Sequence, residues 1–185
     1  MKCRTHSKWS LYLCLSFLIF GFYTSSCIED HEGKKSDHES ETFQEVQTGD
    51  TIPAFILQLN DGKTINSKKL EGECSVLVFF HTKCKDCQAE LPIIQSLYDK
   101  HMPQVNIICV SRKEDASSIA TYWEKENLTL PFAAQEDGAL YYQFAQTRIP
   151  RVYVVNKRLQ VTSIYTDKKM ASLDDLMSDI NKIVR

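Results

Sequence analysis

The order of apolar and polar residues along the chain predicts strands and helices that follow one another regularly. Two runs that are almost entirely apolar, at 75–80 and 105–110, are typical of strands buried on both faces of a sheet. Between them, leucine and isoleucine recur at helical spacing and predict a helix over 84–101, kinked at Pro92. A connection of this length favours parallel pairing of the two strands.

The remaining segments follow the same rules. Upstream, the sequence predicts strands at 52–59 and 63–66, joined by the hairpin turn signal Asn60-Asp61-Gly62. Downstream, the pattern predicts three helices, an extended segment and two strands: helices 116–127, 138–145 and 173–184, the segment 128–132, and strands 151–156 and 161–165. Only a short turn separates the last two strands, so we expect an antiparallel hairpin there. The pattern as a whole predicts an α/β domain.

The first 26 residues have the pattern of an export signal. Basic residues precede the apolar stretch Leu11–Tyr23, which is shorter than a comfortable membrane span, and small residues then lead to Cys27. A cysteine at this place resembles the lipobox of bacterial lipoproteins, in which it is acylated, although Thr24 stands where leucine is usual. We therefore predict a lipoprotein-type signal peptide at 1–26 and lipidation of Cys27. An ordinary cleaved signal peptide and an uncleaved anchor are the alternatives.

Composition separates an acidic segment from the globular part of the chain. Residues 28–48 contain seven acidic residues and two lysines but few apolar ones, so this stretch cannot bury enough surface to fold alone. We predict an acidic flexible tether at 27–48 and one folded domain at 49–185. The formal net charge of -2 argues against nucleic acid as a partner, because phosphate binding needs a basic patch. Export would place the domain where disulfides can persist.

The candidate chemistry lies directly after the first buried strand, at Cys84-Lys85-Asp86-Cys87. Cysteines three residues apart on a helix place both sulfurs on one face. The partial positive charge of the helix N-terminus stabilises a thiolate at Cys84, and the thiolate is the reactive form. The motif therefore predicts reversible disulfide chemistry, with a redox-active Cys84–Cys87 disulfide and no separate cofactor.

With its flanking residues, this motif makes residues 49–185 resemble the thioredoxin-fold thiol–disulfide oxidoreductases of the TlpA/ResA type, within the redoxin group. The matching pieces outside the motif are Gly49-Asp50-x-x-Pro53-x-Phe55, Asp61-Gly62, Leu70-x-Gly72, Glu90-Leu91-Pro92 and Ile149-Pro150. The resemblance implies a three-layer fold, in which helices flank a mixed central sheet and a β-hairpin is added at the N-terminus.

The resemblance also implies a role for each residue of the site. Cys84 would be the exposed nucleophile that attacks a substrate disulfide, and Cys87 would resolve the resulting mixed disulfide. Pro150 would be a cis-proline opposite the cysteines, and Ile149 would offer backbone groups to an extended substrate. On sequence alone, a trans-proline that starts an edge strand is the alternative to the cis form.

Five residues near the motif are candidate modulators of its reactivity: His81, Lys83, Lys85, Asp86 and Glu90. The lysines should favour the thiolate and the aspartate should oppose it, although a solvated surface position is the commoner fate of a lysine such as Lys83. Glu90 matches an acid of the family and would assist proton transfer from Cys87, or would simply favour the helix dipole. His81 is a candidate base or metal ligand, or a polar residue at the end of a strand.

Three departures from the family pattern leave the substrate open. Val78 stands where thioredoxins proper bury an aspartate, Lys83 stands where many relatives have Trp, and Arg151 follows the proline where Thr or Ser is frequent.

The favoured function is thiol–disulfide exchange in the bacterial cell envelope, as a reductase of disulfides in exported proteins or apocytochromes. A membrane thiol donor would supply the electrons, and the lipid anchor would hold the domain at the membrane. One alternative is a thiol peroxidase, although His81 and Leu77 occupy the places of the peroxiredoxin Thr and Pro. Another is a non-enzymatic lipoprotein with a structural CxxC. We expect no metal, since structural zinc needs four ligands and only Cys84, Cys87 and His81 cluster.

Overall fold

The computed structural model describes residues 43–101 and 104–185. The predictions of a signal peptide, of lipidation at Cys27 and of most of the tether lie outside the described residues. In the described part of the chain, no helix is both long enough and apolar enough to cross a membrane.

The secondary structure consists of seven strands, four α-helices and one short 3-10 helix within the described ranges. In chain order the elements are β1 (Ile56–Gln58), β2 (Thr64–Asn66), the 3-10 helix (Ser67–Leu70), β3 (Cys74–Phe80), α1 (Lys85–His101), β4 (Val105–Ser111), α2 (Ala116–Lys125), β5 (Phe132–Ala133), α3 (Tyr141–Phe144), β6 (Arg151–Val155), β7 (Val161–Thr166) and α4 (Leu173–Val184).

Five of the strands form a mixed central sheet in the order β5-β4-β3-β6-β7. Strand β3 runs parallel to β4, and β4 runs parallel to β5. Strand β6 is antiparallel to both β3 and β7, whereas β1 and β2 form a separate antiparallel hairpin. The predicted thioredoxin-like α/β fold, with its mixed sheet and N-terminal hairpin, is confirmed.

The central strand β3 is buried along its whole length because both faces of the sheet are covered. Side chains of Val76, Val78 and Phe80 point into one core, which is closed by α1, α2 and α4. The alternate residues Leu77 and Phe79 enter a second core beneath the β1–β2 hairpin and α3. This period of two explains why the segment reads as continuously apolar in the sequence.

Several element boundaries differ from the sequence prediction for local reasons. Strand β1 covers only part of 52–59, because the Ile52 N–H bonds to Leu159 and the Phe55 N–H bonds to the Ser67 hydroxyl. Helix α2 stops at Lys125, two residues early, and Asn127 follows with a left-handed φ of 54°. Helix α1 remains helical through Pro92.

Packing begins earlier than the predicted domain start at Gly49. Val46 is buried in the second core, and its N–H donates to the Phe144 carbonyl at 2.9 Å. Glu45 also binds into the domain, through the side chain of Arg151. The last residues of the predicted tether are therefore part of the folded unit.

Candidate active site

The turn between β3 and α1 carries the first cysteine to the edge of the sheet. The Cys84 N–H donates to the His81 carbonyl at 3.0 Å, and the Cys84 carbonyl accepts the Gln88 N–H at 2.9 Å. Cys84 thus occupies the capping position immediately before α1, where helix N–H groups lack partners within the helix. The local sequence places a sulfur where backbone donors are available.

The environment of the Cys84 sulfur combines a donor and an acceptor. The Cys87 N–H lies 3.3 Å from the Cys84 Sγ and donates to it. On the other side, the Cys84 thiol faces the Ile149 carbonyl at 3.6 Å. The side chain is half-buried, so it remains in contact with solvent. A helix amide therefore donates to a partly exposed sulfur, which is accessible to a substrate disulfide.

The second cysteine lies one turn further and is sealed from solvent. Cys87 has no exposed surface, and burial raises the pKa of its thiol strongly; its hydrogen bond with Cys84 and the charge of Asp86 act in the same direction. The two sulfurs therefore differ in their access to solvent although they are adjacent on one helix face. This asymmetry suits an exposed attacking thiol and a buried resolving thiol.

The other two cysteines of the described part of the chain lie in the sheet. Both Cys74 and Cys109 are buried free thiols, and burial raises the pKa of Cys74 to about 11. In the parallel register Cys74 pairs with Val105, while Cys109 pairs with Val78, four positions further along β3. The two thiols are thus well separated along the strands and pack as apolar side chains.

Glu90 is a buried carboxyl group on the same helix, one turn after Cys87. It is 1% exposed, and neither of its oxygens accepts a well-aligned hydrogen bond from a described residue. Burial raises the pKa of Glu90 to about 7, against a smaller opposing effect of the Ala171 backbone. Glu90 is therefore a buried carboxyl one turn from Cys87, and its part in proton transfer stays a prediction.

The loop before β6 faces the cysteines across the edge of the sheet. The Ile149–Pro150 peptide bond is cis, so the trans alternative does not describe this chain. Pro150 is buried and Ile149 is half-buried, with its carbonyl directed at Cys84. The preceding Arg148 has a left-handed φ of 72°, and its carbonyl accepts the Tyr141 hydroxyl at 2.7 Å. The structure thus brings the predicted proline segment and both cysteines together.

Arg151 forms a buried anchor that the sequence analysis did not predict. Its side chain is 7% exposed, and its Nη2 donates to Glu45 Oε2 at 2.9 Å and to the Thr147 carbonyl at 3.1 Å. The guanidinium therefore ties the entry segment of the domain to the proline loop. The available signal was an arginine inside an otherwise apolar strand, which requires a buried partner.

His81 is held at the end of β3 by a second residue that the sequence analysis missed. Its Nδ1 accepts the Lys83 N–H at 3.1 Å and lies 3.5 Å from Glu114 Oε2. Glu114 is 5% exposed, and its carboxylate accepts the Thr82 N–H at 2.9 Å as well as the Thr82 hydroxyl. These contacts match the strand-end interpretation of His81.

The other candidate modulators lie at the surface. Lys83, Lys85 and Asp86 are exposed, and Lys83 lines the groove that opens beside Cys84. Within residues 43–101 and 104–185, no group of three or more His, Cys, Asp or Glu side chains is placed to hold a metal ion.

Comparisons with known proteins agree with this geometry. The redoxin family model matches residues 47–178. The chain is 25% identical over 115 residues to the thiol-disulfide oxidoreductase ResA of Bacillus thuringiensis subsp. konkukian, which covers 62% of this chain and 66% of that protein. The chain thus spans just under two thirds of the length of this curated relative.

Two solved structures show the same fold. StoA from Bacillus subtilis aligns with a TM-score of 0.60 at 21% identity, covering 68% of this chain and 95% of that chain. The thioredoxin domain of a thiol-disulfide oxidoreductase from Bacteroides vulgatus aligns with a TM-score of 0.64 at 17% identity, covering 76% and 99%. From the match of the family model over most of the folded domain, the chain belongs to the redoxin family.

Proposed function

We propose that this protein catalyses thiol–disulfide exchange and reduces disulfides of exported proteins, with apocytochromes among its substrates. The observation that carries the proposal is the asymmetric cysteine pair at the start of α1. One sulfur is accessible and receives a helix N–H at 3.3 Å, and the other is fully buried on the next turn. The relatives named thiol-disulfide oxidoreductase ResA support this reaction class.

The first chemical step is attack by the Cys84 thiolate on one sulfur of the substrate disulfide. A bond forms between the Cys84 Sγ and that sulfur, and the substrate S–S bond breaks. The other substrate sulfur leaves as a thiolate and takes a proton from solvent. The cis Ile149–Pro150 segment presents its carbonyl beside the reacting sulfur, where an extended substrate backbone can align.

The second step is attack by Cys87 on the Cys84 sulfur of the mixed disulfide. It forms the Cys84–Cys87 disulfide and releases the second substrate thiol, so two electrons pass from the protein to the substrate. Cys87 must lose its proton before it attacks, and burial disfavours that loss. Glu90, a carboxyl with a pKa of about 7 on the next turn of α1, is suited to receive the proton.

We further propose that the domain works on the outer side of a bacterial membrane, held by a lipid at Cys27. The support for this is the signal-like N-terminus and the acidic composition of residues 28–48. A membrane thiol donor would restore the dithiol by exchange with the Cys84–Cys87 disulfide.

The test is a trapping experiment in the bacterial envelope with Cys87→Ala. This variant can form the mixed disulfide but lacks the resolving thiol, so partners disulfide-linked through Cys84 should accumulate. Cys109→Ala is the matched control, because it removes a buried cysteine of the neighbouring strand that takes no part in the proposed steps. Cys84→Ala should form no adducts.

The proposal would be wrong if Cys87→Ala trapped no protein and the wild type failed to reduce a model disulfide. Rapid reduction of hydrogen peroxide without disulfide exchange would instead favour the thiol peroxidase alternative. Stoichiometric zinc in the purified protein would favour the structural alternative.

A further inference from the structure

The surface beside Cys84 is a groove whose charged walls are basic. Its lining contains the nucleophile, three basic residues, a histidine and the residue before the cis-proline: Cys84, Lys83, Arg112, Lys113, His81 and Ile149. An extended substrate bound through its sulfur to Cys84 has to leave the site along this groove or along the proline loop. Where the substrate follows the groove, the side chains that flank its cysteine lie next to these basic groups.

The fold places the basic residues at the groove. Phe80 and Ser111 are register partners at the ends of the parallel strands β3 and β4. Parallel strands end at the same edge of a sheet, so the loop after β4 lies beside the turn that carries Cys84. The Arg112 N–H donates to the Phe80 carbonyl at 2.8 Å, which fixes the start of that loop.

Aromatic rings hold two of the basic side chains without neutralising them. The Arg112 guanidinium carbon lies 4.9 Å from the centre of the Tyr141 ring. The Lys113 ammonium lies 5.3 Å from the centre of the Tyr142 ring. Contacts of this kind restrict a cation while leaving its charge in place. The Tyr142 hydroxyl also interacts with both cations, which lower its pKa.

The basic residues of the groove differ in their pairing with acids from the two arginines that flank the cis-proline segment. Arg148 is paired with Asp167 at 2.8 Å, and Arg151 is paired with Glu45 at 2.9 Å. By contrast, none of the three basic groove residues forms an ion pair with an acid of the described residues. Glu114, the acid beneath His81, is buried, and its carboxylate binds Thr82.

We propose that the groove of Lys83, Arg112 and Lys113 selects substrate proteins with acidic side chains next to the cysteine that Cys84 attacks. This inference rests on the exchange reaction proposed above and adds the class of substrate. Arginine binds carboxylates through paired hydrogen bonds, and a cluster of cations raises the rate of encounter with an anionic segment. The preference should therefore appear in the rate at which the mixed disulfide forms.

The test uses three disulfide-linked reporter peptides that differ only in the two residues flanking the cysteine, which are Glu, Gln or Lys. The reduced full chain should react with the Glu peptide about tenfold faster than with the Gln peptide, and slowest with the Lys peptide. Raising the salt from about 20 mM to about 200 mM should shrink the ratio, because it shortens the screening length to below about 10 Å.

Variants identify the residues responsible. Arg112→Gln combined with Lys113→Gln should lower the ratio of Glu to Gln peptide rates and leave only the part that Lys83 supplies. The matched control is Lys157→Gln combined with Arg158→Gln, an exposed basic pair in the turn between β6 and β7. It removes the same charge from another surface and should keep the preference.

The outcomes separate this inference from the proposed function. Equal rates for the three peptides in the wild type would contradict the proposed selectivity of the groove, while the proposed thiol–disulfide exchange would still stand. A preference that is unchanged in the Arg112 and Lys113 variant, or that falls equally in the control, would also overturn it. Failure to reduce any of the peptides would instead contradict the proposed function itself.

Discussion

Replacing Glu90 by Gln tests whether burial raises the pKa of this carboxyl group inside the domain. Burial raises the pKa of Glu90 from 4.5 to about 7. Each pKa unit corresponds to about 1.4 kcal/mol, so ionising this group in the folded state costs about 3 kcal/mol more than in the unfolded chain. The reduced wild-type protein should lose that amount of stability with rising pH, and Glu90→Gln should not.

The sign follows from the protons bound in each state. Between pH 4.5 and about 7 the folded protein keeps the Glu90 proton that the unfolded chain has already released. As far as Glu90 determines it, the free energy of unfolding is therefore highest below pH 4.5, declines as the pH rises to about 7, and stays at the lower value above that. A buried amide has its own desolvation cost, but that cost does not depend on pH.

The assay is urea denaturation of the reduced wild type and of Glu90→Gln at about pH 5 and about pH 8, in a phosphine reductant. The difference in free energy of unfolding, variant minus wild type, should increase by about 2–3 kcal/mol between the two pH values. Glu124→Gln on the exposed face of α2 is the control and should follow the wild type at both. A difference that is independent of pH, or that decreases, would refute the reasoning.

Two further predictions concern the packing around the site, and both are measured by urea denaturation of the reduced protein. Arg151→Met should lower the free energy of unfolding by about 1–2 kcal/mol, because Glu45 and the Thr147 carbonyl lose a charged donor. Burial alone would raise the pKa of Glu45, but its hydrogen bonds outweigh burial and lower the pKa. The loss of stability should therefore fade as the pH drops and Glu45 becomes protonated. An equal loss in a Glu45→Gln background would contradict the pairing. Phe79→Ala should cost about 3–5 kcal/mol, because the side chain is fully buried among three aromatic rings of the second core. Phe43→Ala, at a position that is 43% exposed, should cost far less, and similar losses for the two would contradict the assignment of the core.

The sequence predicted the parts of the fold that depend on local periodicity. Strands β3 and β4 are buried on both faces, so their composition alone identifies them. The position of Cys84 at the start of α1 followed from the boundary between a strand pattern and a helix pattern. The shortening of β1 did not follow, because partners distant in sequence take its backbone donors, such as Leu159 for Ile52.

The supporting contacts of the site escaped prediction because they join residues far apart in the chain. Arg151 binds Glu45 across 106 positions, and Glu114 binds Thr82 across 32. Neither pair has a recurring spacing, and the patterns of helices and strands carry information only over a few residues. Similarly, Glu90 is buried beside the Ala171 backbone, which lies far along the chain, and the helix pattern around Glu90 carries no sign of that contact.

The mixed topology of the sheet is the condition that allows these segments to meet. Strands β3 and β4 are parallel, so the turn with Cys84 and the loop with Arg112 leave the sheet at one edge. Strand β6 is antiparallel to β3, with Arg151 opposite Phe79, and therefore begins at that same edge. If β6 ran parallel to β3, the loop before it would lie at the opposite edge, about 16 Å away at ~3.3 Å per residue over its five residues. The Ile149 carbonyl faces Cys84 because β6 is antiparallel to β3. Cys84 and the basic groove share an edge of the sheet because β3 and β4 are parallel.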